Sequence, residues 1–214
     1  MADWKEHLVG FDARVSSPDW TPERRSTYLL RENVEQPFSC DPRVWPSLFD
    51  KGAYPRPSWV GAFQDLWSDL DRLREHLADA AAGATYHLVA FSILAHGDDD
   101  PLGPALNDRC YEPHSPRWLP LPSAQPEIRS PDWALLGYDL ADKWGTSGLS
   151  NCGYRPAEVE ALRRNWAEHL SEQHLFLDLE EADRFRRVCD SRVTEHAPFF
   201  VYGIWSVEAV QRTA

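Results

Sequence analysis

The stretch Thr85-Tyr-His-Leu-Val-Ala-Phe-Ser-Ile-Leu-Ala95 decides the reading of the fold. Its alternating sets are both largely apolar: Tyr86, Leu88, Ala90 and Leu94 on one side, Val89, Phe91 and Ile93 on the other. A segment that is apolar on both sides of the pleat reads as a central strand with both faces covered. Just before it, Trp59, Val60, Phe63, Leu66, Trp67, Leu70, Leu73 and Leu77 recur at three- and four-residue steps. That spacing builds one apolar stripe and predicts a core-packing helix from about Ser58 to Ala80, with Gly83 as a stop.

Working outward, Trp133 to Leu140 and Phe199 to Val207 read as further strands, and Leu8 to Val15 as a weaker fourth. Two helices lie between the later strands. Pro156 suits a first helical position, and Glu158 and Glu160 favour the positive end of the helix dipole. Val159, Leu162, Trp166 and Leu170 form that helix's stripe. Asp178 followed by Glu181 is a capping-box-like start for the next helix, which is expected to bury Leu179, Ala182, Phe185 and Val188. Pairs four residues apart, Glu180 to Arg184 and Asp183 to Arg187, support it.

Between His96 and Pro131 the periodicity stops and eight prolines accumulate, and a second Pro-rich stretch runs from Pro37 to Pro57. Long connections of this kind are uncommon in compact domains and are often functional or disordered. No internal repeat is evident from the sequence. The order, a helix followed by β-loop-β-α-α-β, predicts a single α+β domain over residues 1–214. Its small, mainly antiparallel sheet would be packed by about three helices, with long Pro-rich loops at about 37–57 and 96–131.

Composition narrows the function classes. The chain has 214 residues, 22 basic and 34 acidic, for a formal charge of −12. Nucleic-acid binding through a broad phosphate-neutralising surface needs clustered Lys and Arg, so this charge argues against it. Residues 1–107 hold 10 bases and 17 acids and the remainder 12 and 17, so the acidity is spread over the surface and not gathered in a tail. The N-terminus lacks the basic start and apolar stretch of a secretory signal. Fully apolar stretches such as Leu88 to Phe91 fall far short of the roughly 20 residues that span a bilayer. Cys40, Cys110, Cys152 and Cys189 are widely spaced with no Cys-x-x-Cys, which suits reduced thiols in a cytoplasm. A cytoplasmic protein without membrane partners is expected; oligomeric state is left open.

The most unusual local stretch runs from Leu136 to Tyr154. A strand delivers Asp139 and Asp142 to a turn-rich loop holding Gly145, Gly148 and Gly153, with Ser147, Ser150, Asn151 and Cys152 as small polar groups. It matches neither a phosphate-binding loop nor a dinucleotide fingerprint. Cys152, close to a helix start, is a candidate nucleophile; His196 or His87 would be its base and Asp139 the orienter. The alternative is a buried, inert thiol. His96, Asp98, Asp99, Asp100, Cys110 and His114 form a loose cluster, but no second zinc half-site or calcium-loop pattern accompanies it, and an acidic solvated turn is the simpler reading. No cofactor or metal is expected.

Three segments carry a resemblance: Trp133 to Tyr154, with its Gly-Tyr-Asp strand end and Ser-Gly-Leu-Ser-Asn-Cys-Gly-Tyr turn; His174-Leu-Phe-Leu-Asp-Leu-Glu-Glu-Ala-Asp183; and His196-Ala-Pro-Phe-Phe-Val-Tyr-Gly-Ile-Trp205. Together, over roughly the C-terminal 80 residues, they resemble a group of uncharacterised bacterial proteins, some of which are similar to the immunity partners of polymorphic toxins. The resemblance implies a role and assigns no catalytic residue. The expectation is therefore a non-enzymatic immunity-type protein that neutralises a basic toxin domain through an acidic, aromatic-containing surface. Asp98, Asp99, Asp100, Asp139, Asp142, Trp144 and Tyr154 are the expected contacts. The alternatives are a small cysteine-dependent hydrolase or deamidase using Cys152, His196 and Asp139, and a non-catalytic adaptor in a secretion-linked assembly.

Overall fold

The structure, a computed structural model, describes residues 4–14, 66–67, 69–80, 86–96, 132–142, 148–149, 154–171 and 175–210. Four strands form an antiparallel sheet: β1 (Trp4–Arg14), β2 (Tyr86–His96), β3 (Ala134–Ala141) and β4 (Phe200–Val210), in the order β1-β2-β4-β3. Among the described residues three α-helices accompany them: α1 (Leu70–Ala80), α2 (Pro156–Trp166) and α3 (Leu179–Arg192). A single 3-10 turn, Ala167–His169, follows α2. The expected α+β class is thus what the chain adopts. Both Pro-rich stretches, 37–57 and 97–131, lie outside the described residues.

The chain divides into two compact units, one comprising Met1–Ser16, Pro46–Leu135 and Ile204–Ala214, the other Ser17–Trp45 and Leu136–Gly203. In the first, β1 and β2 run antiparallel with Trp4 opposite His96 and Arg14 opposite His87, interrupted by an irregularity between Leu8 and Gly10. Leu88, Val89, Ala90, Phe91 and Ile93 are all buried, as expected of a strand covered on both faces. Phe11, Trp67, Leu73 and Leu77 form one core with Leu88 and Ala90 of this strand.

The helix predicted over Ser58–Ala80 begins later than its periodicity suggested. Leu66 and Trp67 are extended, and Trp67 pairs with Phe11 through two backbone hydrogen bonds of 2.8 Å. The cause is Asp69: its Oδ1 accepts from the amides of Asp71 and Arg72 and so ends the extended segment by starting the helix. Residues 58–65 lie outside the described residues.

In the second unit, Pro156 opens α2, and the Arg155 amide donates to Glu158. Asp178 caps α3 by accepting from Glu180 and Glu181. Trp166, Phe176 and Phe185 pack mutually with ring centroids 5.3 to 6.1 Å apart, beneath Arg184, whose guanidinium lies over Trp166. Of the expected pairs on α3, Asp183–Arg187 forms at 2.6 Å, whereas Arg184 pairs with Glu181 three residues away.

The described parts of the two units share a local arrangement, a repeat that is not evident from the sequence. In one, Gly10-Phe11-Asp12 lies on β1, Phe11 bridges Trp67, Asp69 caps α1, and β2 follows. In the other, Gly137-Tyr138-Asp139 lies on β3, Tyr138 bridges Phe176 by the same reciprocal 2.8 Å bonds, Asp178 caps α3, and β4 follows. A Cβ at Gly10 would meet Leu66 Cβ at 2.7 Å and the Trp67 carbonyl at 2.9 Å; one at Gly137 would meet Leu175 Cβ at 2.7 Å and the Phe176 carbonyl at 2.6 Å. Nine residues after each bridging aromatic, the helix returns a second ring to it. Trp67–His76 centroids lie 5.1 Å apart at 39°, and Phe176–Phe185 centroids 5.4 Å apart at 42°.

Both glycines are therefore obligatory for the close approach, and Gly137 also has φ +149°. Gly10→Ala and Gly137→Ala should each destabilise the chain by about 2–3 kcal/mol, from overpacking and, at Gly137, backbone strain. Urea denaturation checks this as a lower midpoint at unchanged slope, with Gly137→Ala the more damaging.

Candidate functional site

Asp139 lies in the last third of β3 with its side chain buried, and its Oδ1 accepts the Leu140 amide at 2.7 Å. Three residues on, Asp142 is buried as well. A carboxylate is buried only at substantial cost unless hydrogen bonds replace water. For Asp142 one such bond comes from His196, whose Nδ1 lies 2.7 Å from Oδ2. His196 sits in the turn that follows α3, which is fixed from both sides. The amides of His196 and Ala197 donate to the Val193 carbonyl, and the Phe199 amide donates to Asp190. A cis Ala197–Pro198 bond lies between these anchors. The His196 side chain keeps 27% exposure, so its ring reaches solvent while the carboxylate behind it does not.

Tyr202 on β4 is fully buried. Burial pushes its hydroxyl pKa well above the usual range, and the charges of Asp142 and then Asp139 push it further. Cys189 on α3 is buried too. Loss of water raises its thiol to about 12; a hydrogen bond from Tyr154 lowers it in part, and Asp190 and Asp139 add to the rise. Tyr154 donates to Cys189 Sγ at 3.5 Å, and Cys189 donates to the Gly148 carbonyl at 3.5 Å. Burial is also the main cause of the raised Tyr154 hydroxyl, followed by Cys189. The Gly148 amide donates to the Leu140 carbonyl at 2.8 Å. Gly148 and Tyr154, which precede and follow Cys152 in the sequence, are thus tied to Cys189.

These placements sort the expected residues. His196 is oriented by Asp142, where Asp139 had been expected. The partner-facing role expected of Asp139 and Asp142 does not fit their burial: neither carboxylate presents to solvent. Tyr154 is partly buried and engaged inward with Cys189. His87 lies on β2 in the first unit. Cys152, Trp144, Asp98, Asp99 and Asp100 lie outside the described residues. Sequence reasoning missed Tyr202 and Cys189. Cys189 had a signal, since it continues the Ala182–Phe185 spacing onto the buried face of α3.

Among the described residues no three His, Cys, Asp or Glu side chains are grouped to hold a metal ion, and no helix is long and apolar enough to cross a membrane. No family model, curated protein or solved structure matches the chain.

Chemically, Cys189 is a protected thiol, and the solvent-facing reactive group in the described part of the site is the His196 ring. Groups whose folded pKa lies above the unfolded value favour the folded state below that unfolded value, and this contribution is lost as the pH climbs toward the folded one. For Cys189 the window runs from 9.0 to about 12. The unfolding free energy should therefore fall by up to about 1.4 kcal/mol per pH unit above 9 for this group alone, with Tyr154 and Tyr202 adding above 10. Urea melts at pH 7 to 10.5 measure the slope, and Cys189→Ala should make it shallower between pH 9 and 10.

Proposed function

We propose that the chain is an immunity-type protein of the bacterial cytoplasm that binds and neutralises a basic toxin domain. The observation that carries this reading is Leu177, a large apolar side chain with 61% exposure. It precedes the Asp178 cap, where an apolar residue commonly packs on the helix as a staple. Here the position it would pack on, Ala182, is buried and Leu177 stays in water. Its surroundings are acidic. Asp178 and Glu180 follow it on the exposed surface, and its amide donates to the carbonyl of His169, next to exposed Glu168. An apolar anchor within carboxylates suits a partner that presents an apolar pocket rimmed by Lys and Arg, and the −12 charge would speed its approach.

The hydrogen-bonded pair of Asp142 and His196 favours a second reading, a small cysteine-dependent hydrolase or deamidase. A buried carboxylate behind a partly exposed imidazole is the usual support for a general base, and Cys152 would be the nucleophile.

The two readings part in one experiment with the protein encoded by the adjacent gene. On the binding reading, Leu177→Asp weakens its affinity at least 10-fold, association slows several-fold as salt rises toward about 0.5 M, and Cys152→Ala protects cells fully. Binding unchanged in Leu177→Asp, or protection lost in Cys152→Ala at normal expression, overturns it.

A further inference from the structure

We infer that the chain is an internal duplication whose second copy has gained a proton-accepting site, with His196 as the acceptor and Asp142 as the residue that positions it. The first copy serves as the reference. There the counterpart of Asp139 is Asp12, equally buried, and Arg14 closes it off with Nε 3.0 Å from the Asp12 carboxylate. The Arg14 guanidinium also lies over the Phe91 ring, which fixes it in the core. That arrangement is a neutralised ion pair with nothing offered to solvent.

The second copy departs from this at each position that matters. Arg14 corresponds to Ala141, and the next position, Val15 in the first copy, is Asp142 in the second. The connection from helix to inner strand reads Ala81-Ala-Gly-Ala-Thr85 in the first copy, without a histidine, and Val193-Thr-Glu-His-Ala-Pro-Phe199 in the second. The backbone devices of the two copies agree within a few tenths of an ångström in their bridge distances and glycine contacts. Fold maintenance alone therefore asks for neither Asp142 nor His196, since the same scaffold is built without them.

The geometry then gives His196 a direction. As a carboxylate Asp142 only accepts, so the proton lies on Nδ1 and the lone pair on Nε2. The ring keeps 27% exposure, and the exposed Glu195 carboxylate lies 3.9 Å from Nε2. A thiol or water, X–H, placed there gives up its proton: the X–H bond breaks, the Nε2–H bond forms, and the electron pair stays on X as the nucleophile. The positive charge left on the ring is opposed by Asp142. The compound attacked would carry an acyl or amide carbon, and for that substrate class the inference rests on the hydrolytic reading above.

Ring-nitrogen NMR on the full chain tests the positioning directly. The wild type should show neutral His196 as the Nδ1–H form. Asp142→Asn, whose amide can donate to Nδ1, should shift it to the Nε2–H form and slow acylation of His196 by diethylpyrocarbonate at least 10-fold, while Asp139→Asn changes neither. Wild-type His196 in the Nε2–H form overturns the inference, as does an Asp142→Asn variant with unchanged form and acylation rate. His196→Gln identifies X: a 10-fold slower reaction of Cys152 with iodoacetamide marks the thiol, and an unchanged rate marks water. If the Nδ1–H form is found and no ester or amide probe is cleaved, the positioning stands and the hydrolytic reading alone fails.

Discussion

In each unit a close backbone approach is set by a glycine beneath a carbonyl. Phe11 and Trp67 exchange amide and carbonyl, as do Tyr138 and Phe176, and each exchange fits only because the preceding strand residue has no side chain. Two hydrogen bonds of this kind contribute little net energy, about 1 kcal/mol apiece. Their importance is geometric. Each fixes the point at which an extended segment leaves an outer strand, and two residues later an aspartate starts the helix. The helix then returns a ring to the bridging aromatic, so that bridge, cap and stacked pair hold one another in place.

With the scaffold settled by these few contacts, the polar interior is free to differ. Both copies bury an aspartate after the bridging aromatic, and a buried carboxylate must be answered. In one copy the answer is a cation two residues along the same strand, Arg14. In the other, Asp142 and the His196 turn occupy the neighbourhood, and Cys189 joins Tyr154 to Gly148. The raised thiol of Cys189 and the raised hydroxyls of Tyr154 and Tyr202 follow from that enclosure: dry surroundings near carboxylates hold the proton on each of these three groups.

Most of the strands and helices were legible in the sequence because their burial leaves a period. Tyr86 to His96 reads as a covered strand because both sides of its pleat are apolar, and α2 and α3 announce themselves through Pro156 and Asp178. Leu66 and Trp67 misled because they share the three- and four-residue spacing of the true helix while being buried by a bridge, and Asp69 was the overlooked cap. The repeat stayed hidden because its matched pieces are short, Gly-aromatic-Asp and Leu-aromatic-x-Asp-Leu. They lie at 10–12 and 66–70 in one copy but at 137–139 and 175–179 in the other, so no fixed period connects them. The pairing of Asp142 with His196 crosses 54 residues and leaves no local trace, which is why Asp139 looked equally eligible.

Burial of Asp139 and Asp142 also relocates the acidity that could serve recognition. A carboxylate sealed behind His196 cannot meet a partner's lysine; it can only set the orientation of the ring in front of it. Carboxylates available to a basic surface in the second unit include those of Glu168, Asp178 and Glu180, and Leu177 is an apolar side chain exposed among them. Recognition at Leu177 and proton transfer at His196 would thus draw on different residues of one unit. A chain selected only for binding has use for the first set, and the second set is what the first copy of the same scaffold does without.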